Sequence, residues 1–346
     1  MEYNGLGATG LKVSELCLGA MTFGESFYNI GKVDQKLANR MVARSLDAGV
    51  NFFDTADVYS RGESEEILGK ALEKADTPRD KVVVATKVRG PMSDAAREGT
   101  GDVNNVGLSR KHIVASCEAS LRRLGTDYID LYQIHGYDPD TPWSETLRAL
   151  DDLVRDGKVR YVGCSNLAVR HICRANGLAE RYGWSGFVSL QAYYSLLGRD
   201  LEHELLPLCR EDGIGIMVWS PLAGGFLTGK FRRDQEGPEE ARRSEFDFPP
   251  IDKEQGFDVV EVLDELAEEK GTTIPRLALS WLLHQPGVST VIIGARNMDQ
   301  LEDNLGAVEV SLTGEELERI DEASAIRRPY PQWMIDFQTG RVRPEE

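Results

Sequence analysis

The chain has few cysteines, and their spacing gives them no shared task. Cys17, Cys117, Cys164, Cys173 and Cys209 form no CxxC pair and no Cys/His run with zinc spacing. That excludes a zinc finger and a dithiol redox motif, and no metal site is expected. An odd, scattered set in 346 residues reads as reduced thiols, so the expected location is cytoplasmic. Basic charge is also scarce. Forty Lys and Arg against 57 Asp and Glu leave a net charge of −17. Nucleic acid is therefore not an expected partner, although an anionic small molecule can still bind a locally basic site. No apolar run reaches the length of a membrane span, so no membrane partner is expected. The N-terminus has neither the basic nor the apolar region of a signal peptide. There is no low-complexity tract. The acidic, proline-containing stretch 235–252 reads as a long loop, because the preceding pattern resumes after it.

What is present is regular. Hydrophobic residues make up 41% of the chain, enough for a large core, and residues 1–346 read as a single domain. Short β-branched or apolar runs at 14–18, 51–54, 81–87, 129–133, 161–165, 187–192, 215–219 and 290–293 alternate with helical patterns. Ile113, Cys117, Leu121 and Leu124 share one helix face, as do Leu147, Leu150 and Val154. Gly49, Gly157 and Gly213 mark helix ends before new strands. Eight strands alternating with helices predict an α/β fold, a (β/α)8 TIM barrel. A doubly wound open sheet is the alternative. It is weakened because no GxGxxG opens the first strand-to-helix turn. Residues 2–13 read as a hairpin that plugs the N-terminal end of the barrel. Extra helices are expected near 298–305 and 314–324.

In such a barrel, chemistry sits where strands end. Asp54 closes the second predicted strand and Tyr59 follows in its loop. Lys87 closes the third, and His135 follows the fourth. Each has an ordinary reading taken alone: a turn residue, a packing ring, a solvated amine, a structural imidazole. Together they fit carbonyl reduction, which needs a hydride donor and a proton donor for the developing alkoxide. A tyrosine near its usual pKa of about 10 donates poorly at neutrality. A neighbouring ammonium lowers that value, a carboxylate behind the lysine holds it, and a histidine N–H orients the carbonyl oxygen.

The stretch Phe52-Phe53-Asp54-Thr55-Ala56-Asp57-Val58-Tyr59 resembles the signature of the aldo-keto reductase family. So do Leu18–Gly24, Gly163-Cys164-Ser165-Asn166, Gln191–Leu197 and Trp219–Gly225, in order along nearly the whole chain. The branch resembled includes bacterial aldo/keto reductases and potassium-channel β-subunits. The resemblance implies that Asp54, Tyr59, Lys87 and His135 form a catalytic tetrad, with Tyr59 as proton donor. It also implies NADPH/NADP held without a Rossmann fold. Ser165, Asn166 and Gln191 would meet the nicotinamide carboxamide, and Trp219 would stack on its ring. Ala20, Met21, Thr22 and Asp54 would lie along the cofactor. The 220–230 loop, with Ser220, Pro221, Leu222, Gly224 and Lys230, would approach the pyrophosphate. Arg296 and Gln300 would reach the 2′-phosphate side, Asp303 and Asn304 the adenine, and Gly294 would also contact the cofactor. Cys164 is not read as a nucleophile, since nothing supplies a base.

The substrate is expected to be a small carbonyl or alcohol, with aldehydes, sugar ketones and bulky natural-product ketones all open. Phe23, Tyr28, Trp143, Tyr194 and Trp333 are candidate pocket aromatics by loop position. The alternative function is a cofactor-sensing regulatory subunit on the same fold, for which the short N-terminus predicts no channel-blocking segment. A purely structural barrel is a third reading. Oligomeric state is not legible.

Overall fold

A computed structural model of the chain describes residues 1–25, 33–234, 237–239 and 241–342. Among the described residues there are ten strands: β1 (Tyr3–Gly5), β2 (Lys12–Ser14), β3 (Leu16–Gly19), β4 (Phe52–Asp54), β5 (Val83–Val88), β6 (Ile129–Ile134), β7 (Val159–Ser165), β8 (Phe187–Tyr193), β9 (Gly215–Trp219) and β10 (Val288–Ile293). The last eight close into a parallel barrel in the order β10-β3-β4-β5-β6-β7-β8-β9, with helices around it. The expected (β/α)8 architecture is therefore observed. β5 shows why its sequence is a strand: Val-Val-Ala-Thr-Lys-Val is buried at every position, as a parallel strand covered on both faces must be.

Two cores result. One lies between the barrel and its helices. The other fills the barrel interior with Cys17, Phe52, Val83, Ala85, Leu131, Met217 and Ile292, and is capped by Leu6 from the turn after β1 and Val13 from β2 of the antiparallel β1–β2 hairpin. The hairpin thus plugs the N-terminal end, as expected. Gly5, Gly7 and Gly10 do have GxGxxG spacing, but they lie in this hairpin turn and no helix follows it. Gly7, at φ +59°, presses on the barrel floor so closely that a Cβ would lie 2.3 Å from the Gly213 carbonyl oxygen.

Some predicted boundaries move. The run 14–18 divides at Glu15: Ser14 ends the hairpin, its N–H donating to Asn51 Oδ1, and the barrel strand begins at Leu16. Stretch 235–252, read as a loop, contains the helix Arg242–Glu245. The loop after β5 contains the helix Asp94–Glu98, whose N-terminus is capped by Ser93. The helices Met298–Leu305 and Gly314–Ala323 appear where expected, the second with a full capping box from Thr313 and Glu316.

Candidate active site

The C-terminal ends of the barrel strands open on one cleft of about 1620 Å³. Asp54 ends β4, Lys87 lies one residue before the end of β5, and His135 immediately follows β6. Tyr59 begins a helical turn whose next two residues, Ser60 and Arg61, hold positive φ. This bend turns Tyr59 back over the barrel. Its ring meets the His135 ring edge-on, with centroids 5.7 Å apart, and Lys87 Nζ lies 5.0 Å from its centroid.

Lys87 is fully buried and donates to Asp54 Oδ2 at 2.5 Å and to the Thr55 carbonyl at 2.6 Å. Asp54 Oδ1 accepts from Gln133 Nε2 at 3.1 Å and Gln191 Nε2 at 2.9 Å. A buried ion pair survives only when its remaining polar groups are satisfied, and here three side chains converge on one carboxylate. Gln133 is a residue the sequence reading missed. The available signal was a polar residue at an inward position two before His135.

Electrostatics assign protonation states. Burial alone would lower the Lys87 pKa, but Asp54 and Tyr59 outweigh it and the net shift is upward, so the ammonium stays charged. Burial raises the Tyr59 pKa, and Lys87 only partly opposes this. The expected net lowering by Lys87 is therefore corrected for this structure, because loss of solvent is the larger effect. The Tyr59 hydroxyl accordingly keeps its proton at neutral pH. His135 is pushed down to about 3 by burial and by Lys87 and Arg89, which keeps its imidazole neutral at physiological pH.

The cleft continues from this end past Trp219 to Arg296. Ser165 Oγ donates to the Gln191 carbonyl, and Asn166 Nδ2 donates to Ser165 Oγ and to the His135 carbonyl. Asn166 and Ser220, each just after a strand, hold positive φ of 54° and 50°. Non-glycine residues adopt this conformation at a cost, and such strain gathers at functional sites. Met21, Thr22, Pro221, Leu222, Gly224, Lys230, Gly294, Gln300, Asp303 and Asn304 also line the cleft. Ala20 does not: it is fully buried in the outer core, with its N–H bonded to the Asp54 carbonyl.

Arg296 precedes the helix Met298–Leu305. Asn297 caps that helix, and Gln300 Oε1 accepts from the Arg296 N–H. Two acids that could repel an anion here are engaged elsewhere. Glu302 is paired with Arg44, and Asp303 with Arg276 and Thr273. Arg242, another residue the sequence reading missed, lines the same cleft. Burial, then Arg296 and Arg243, lower its pKa to about 10. It lies inside the stretch 235–252, which reads from the sequence as a long loop.

The aromatic expectations need correction. Phe23 and Tyr194 are fully buried in the outer core, Tyr194 donating its hydroxyl to Glu202. Trp143 packs with Tyr137 and His171 outside the cleft, and Trp333 stands on the C-terminal helix Gln332–Val342. Tyr28 lies outside the described residues. Besides Tyr59 and His135, the rings that line the cleft are Trp219, Phe231, Phe246 and Phe248, the last parallel to Trp219 at 5.8 Å. Cys164 is buried and its thiol is pushed up by burial, which suits a structural residue.

A model of the aldo/keto reductase family matches residues 15–325. The chain belongs to the aldo/keto reductase family. It is 42% identical over 326 residues to an uncharacterized oxidoreductase, YrpG, of Bacillus subtilis, covering 93% of this chain and 95% of that one. It is 36% identical over 351 residues to versiconal hemiacetal acetate reductase of Aspergillus parasiticus, with coverage of 96% and 99%. A Schizosaccharomyces pombe protein provisionally named a voltage-gated potassium channel subunit beta is 39% identical over 329 residues, with coverage of 92% and 91%. The family is one of oxidoreductases that use nicotinamide cofactors. This aldo/keto reductase has residues that fit such a group. Trp219 Nε1 and Arg242 Nε are buried at the cleft with no hydrogen-bond partner among the described residues. A Cβ at Gly225 or Gly294 would meet only open space. Among the described residues no helix is long and apolar enough to cross a membrane, and no cluster suits a metal ion.

Proposed function

We propose that the chain is an NADPH-dependent reductase of aldehydes or ketones, reversible to alcohol oxidation, acting in the cytoplasm on small molecules. The observation carrying this reading is the convergence of Tyr59, His135 and the buried Lys87–Asp54 pair at one end of a cleft whose other end holds Arg296. The nicotinamide would supply the hydride. Every other part of the reaction belongs to side chains. His135, neutral, donates an N–H to the carbonyl oxygen and fixes its direction. Tyr59 gives that oxygen its proton as charge develops. Lys87 stabilises the phenolate left behind, and Asp54 holds Lys87 in place.

Ser165, Asn166 and the free Oε1 of Gln191 would meet the nicotinamide carboxamide, whose ring would lie on Trp219. Ala20 would contribute only as backing for Met21 and Thr22. Ser220–Gly224, Lys230 and Arg242 would meet the pyrophosphate. Arg296 and Gln300 would read the 2′-phosphate, with Gly294, Asp303 and Asn304 around the adenine. The lining rings Phe246 and Phe248 favour flat or bulky carbonyl substrates. Similarity to the fission-yeast protein keeps a second reading, a cofactor-sensing regulatory subunit. Repeated turnover separates the two. Purified protein should oxidise many equivalents of NADPH per active site with an aromatic aldehyde, followed at the nicotinamide absorbance. A single equivalent consumed, with cofactor retained, would favour the sensor.

A further inference from the structure

One cation at the rim of the site is held in place and left without a counter-ion. Arg89 comes directly after β5, two positions beyond Lys87 and one beyond Val88, whose carbonyl accepts from the His135 N–H. Arg89 Nε donates to the Tyr137 carbonyl at 2.8 Å. Its side chain crosses the loop after β6, where a Cβ at Gly136 would lie 3.6 Å from Arg89 Cδ. The guanidinium is near enough to His135 to help keep that imidazole neutral. Tyr137 makes a firm base, because its ring is stacked on the His171 ring with centroids 4.1 Å apart. With Nε engaged, both Nη groups remain, and among the described residues nothing accepts from them.

Backbone and charge both set Arg89 apart from a stray surface cation. Its φ is +150°, a conformation that side-chain-bearing residues rarely adopt. The neighbours impose it. The Gly107 N–H donates to the Arg89 carbonyl, and Gly90 packs so closely on Val58 that a Cβ would lie 2.7 Å from Val58 Cγ2. Glycine at position 89 would relieve that strain, so arginine is the costly residue there, and such costs gather at functional sites. The nearby acid does not use the charge. Asp138 Oδ2 accepts from the Leu108 N–H and the Thr141 hydroxyl, and Oδ1 from the Asp140 N–H, with no ion pair to Arg89. Arg61, beside Tyr59 on the neighbouring loop, is by contrast paired with Asp94. In a chain of net charge −17, an unpaired guanidinium beside His135 is a local exception that favours an anion.

We infer that Arg89 anchors a carboxylate carried by the carbonyl substrate, on the part remote from the reacting carbon. The inference rests on the proposed reductase reading and narrows its substrates to aldehydes or ketones that also bear an acid group. The two Nη groups of a guanidinium match the two oxygens of a carboxylate. Arg89 stands outside the cleft wall that His135 belongs to, so it meets only what extends past His135. The carbonyl oxygen would be held by Tyr59 and His135, and the distal charge by Arg89.

The test compares 3- and 4-carboxybenzaldehyde with their methyl esters, which keep the ring and aldehyde and lose the charge. For at least one isomer the wild type should have the higher kcat/KM with the acid. In Arg89→Gln that acid-to-ester ratio should fall about tenfold or more, chiefly through KM. Arg89→Lys, with the charge but not the fork, should fall between the two. Added salt should shrink the wild-type ratio and leave the Arg89→Gln ratio where it is. Any effect of the substitution on His135 or on local folding acts on acid and ester alike and cancels in the ratio. A wild type that prefers both esters, or ratios unchanged in Arg89→Gln, would overturn the inference and leave the reductase reading standing. Failure to reduce any of the four aldehydes would sink the reductase reading instead, and binding would then decide the role of Arg89. Calorimetry with the 3- and 4-(hydroxymethyl)benzoates should show binding that weakens about tenfold in Arg89→Gln. No binding to the wild type, or equal affinity in the variant, would overturn the inference.

Discussion

At one end of the cleft Lys87 and Asp54 are sealed inside the barrel and bonded on every side, while at the other Arg296 and Arg242 sit on a helix start and a loop helix. The first end is made by strand termini, whose positions the whole barrel fixes. The second is made by segments laid over it. On the proposed reading, a fault at the first end should damage both the fold and the chemistry. A fault at the second should change which cofactor binds and leave the barrel intact.

The largest expected effect follows from removing Lys87. In Lys87→Met the Asp54 carboxylate stays buried without its ion pair, a change worth about 3–5 kcal/mol of stability. Denaturant unfolding should show that loss, and reductase turnover should fall by about 10²–10⁴-fold. A variant of wild-type stability would mean that Gln133 and Gln191 suffice to hold Asp54, and the contrast between the two ends would shrink.

Arg296→Ala probes the other end and should leave unfolding nearly unchanged. Charge-assisted hydrogen bonds are worth about 1.5–3 kcal/mol, so NADPH binding should weaken by roughly ten- to a hundredfold while NADH binding hardly moves. Titration by Trp219 fluorescence reads both cofactors. Equal losses for the two would remove the 2′-phosphate from Arg296.

The smallest effect is an absence of titration. His135 is held at about 3, below the usual histidine value, by burial and by Lys87 and Arg89. Its imidazole resonances should therefore not shift between pH 8 and 5. The linkage has a definite sign. The unfolded chain takes up this proton below about pH 6.5 and the folded chain does not, so His135 costs stability as pH falls from there towards 3. An inflection near 6.5 in the folded protein would place His135 in solvent.

The two ends also differed in what the sequence revealed. Asp54, Lys87 and His135 were legible because each stands at or beside the end of a β-rich run, and the barrel brings strand ends together. The alternation of runs and helices gave the barrel itself, and the break at Glu15 escaped because Ser14 and Leu16 both read as strand. Arg242 could not be found that way, since stretch 235–252 has no periodicity and its position over the cleft is a tertiary fact. The pocket aromatics failed for the same reason. Tyr194 follows β8 as a pocket residue would, yet its hydroxyl is drawn to Glu202 and its ring to Trp281. The balance of burial against charge at Tyr59 needed coordinates too, because sequence supplies the neighbour and not the solvent.

The proposed proton-donor role of Tyr59 is the centre of the account, and one substitution isolates it. Tyr59→Phe removes a hydroxyl at a buried ring and leaves Arg296, Arg242 and Trp219 untouched. Single-turnover reduction of an aromatic aldehyde, with NADPH bound beforehand and its affinity measured in the same variant, separates chemistry from binding. The account predicts wild-type NADPH affinity with a reduction rate lower by about 10²–10⁴-fold. A near-native single-turnover rate in Tyr59→Phe would contradict it.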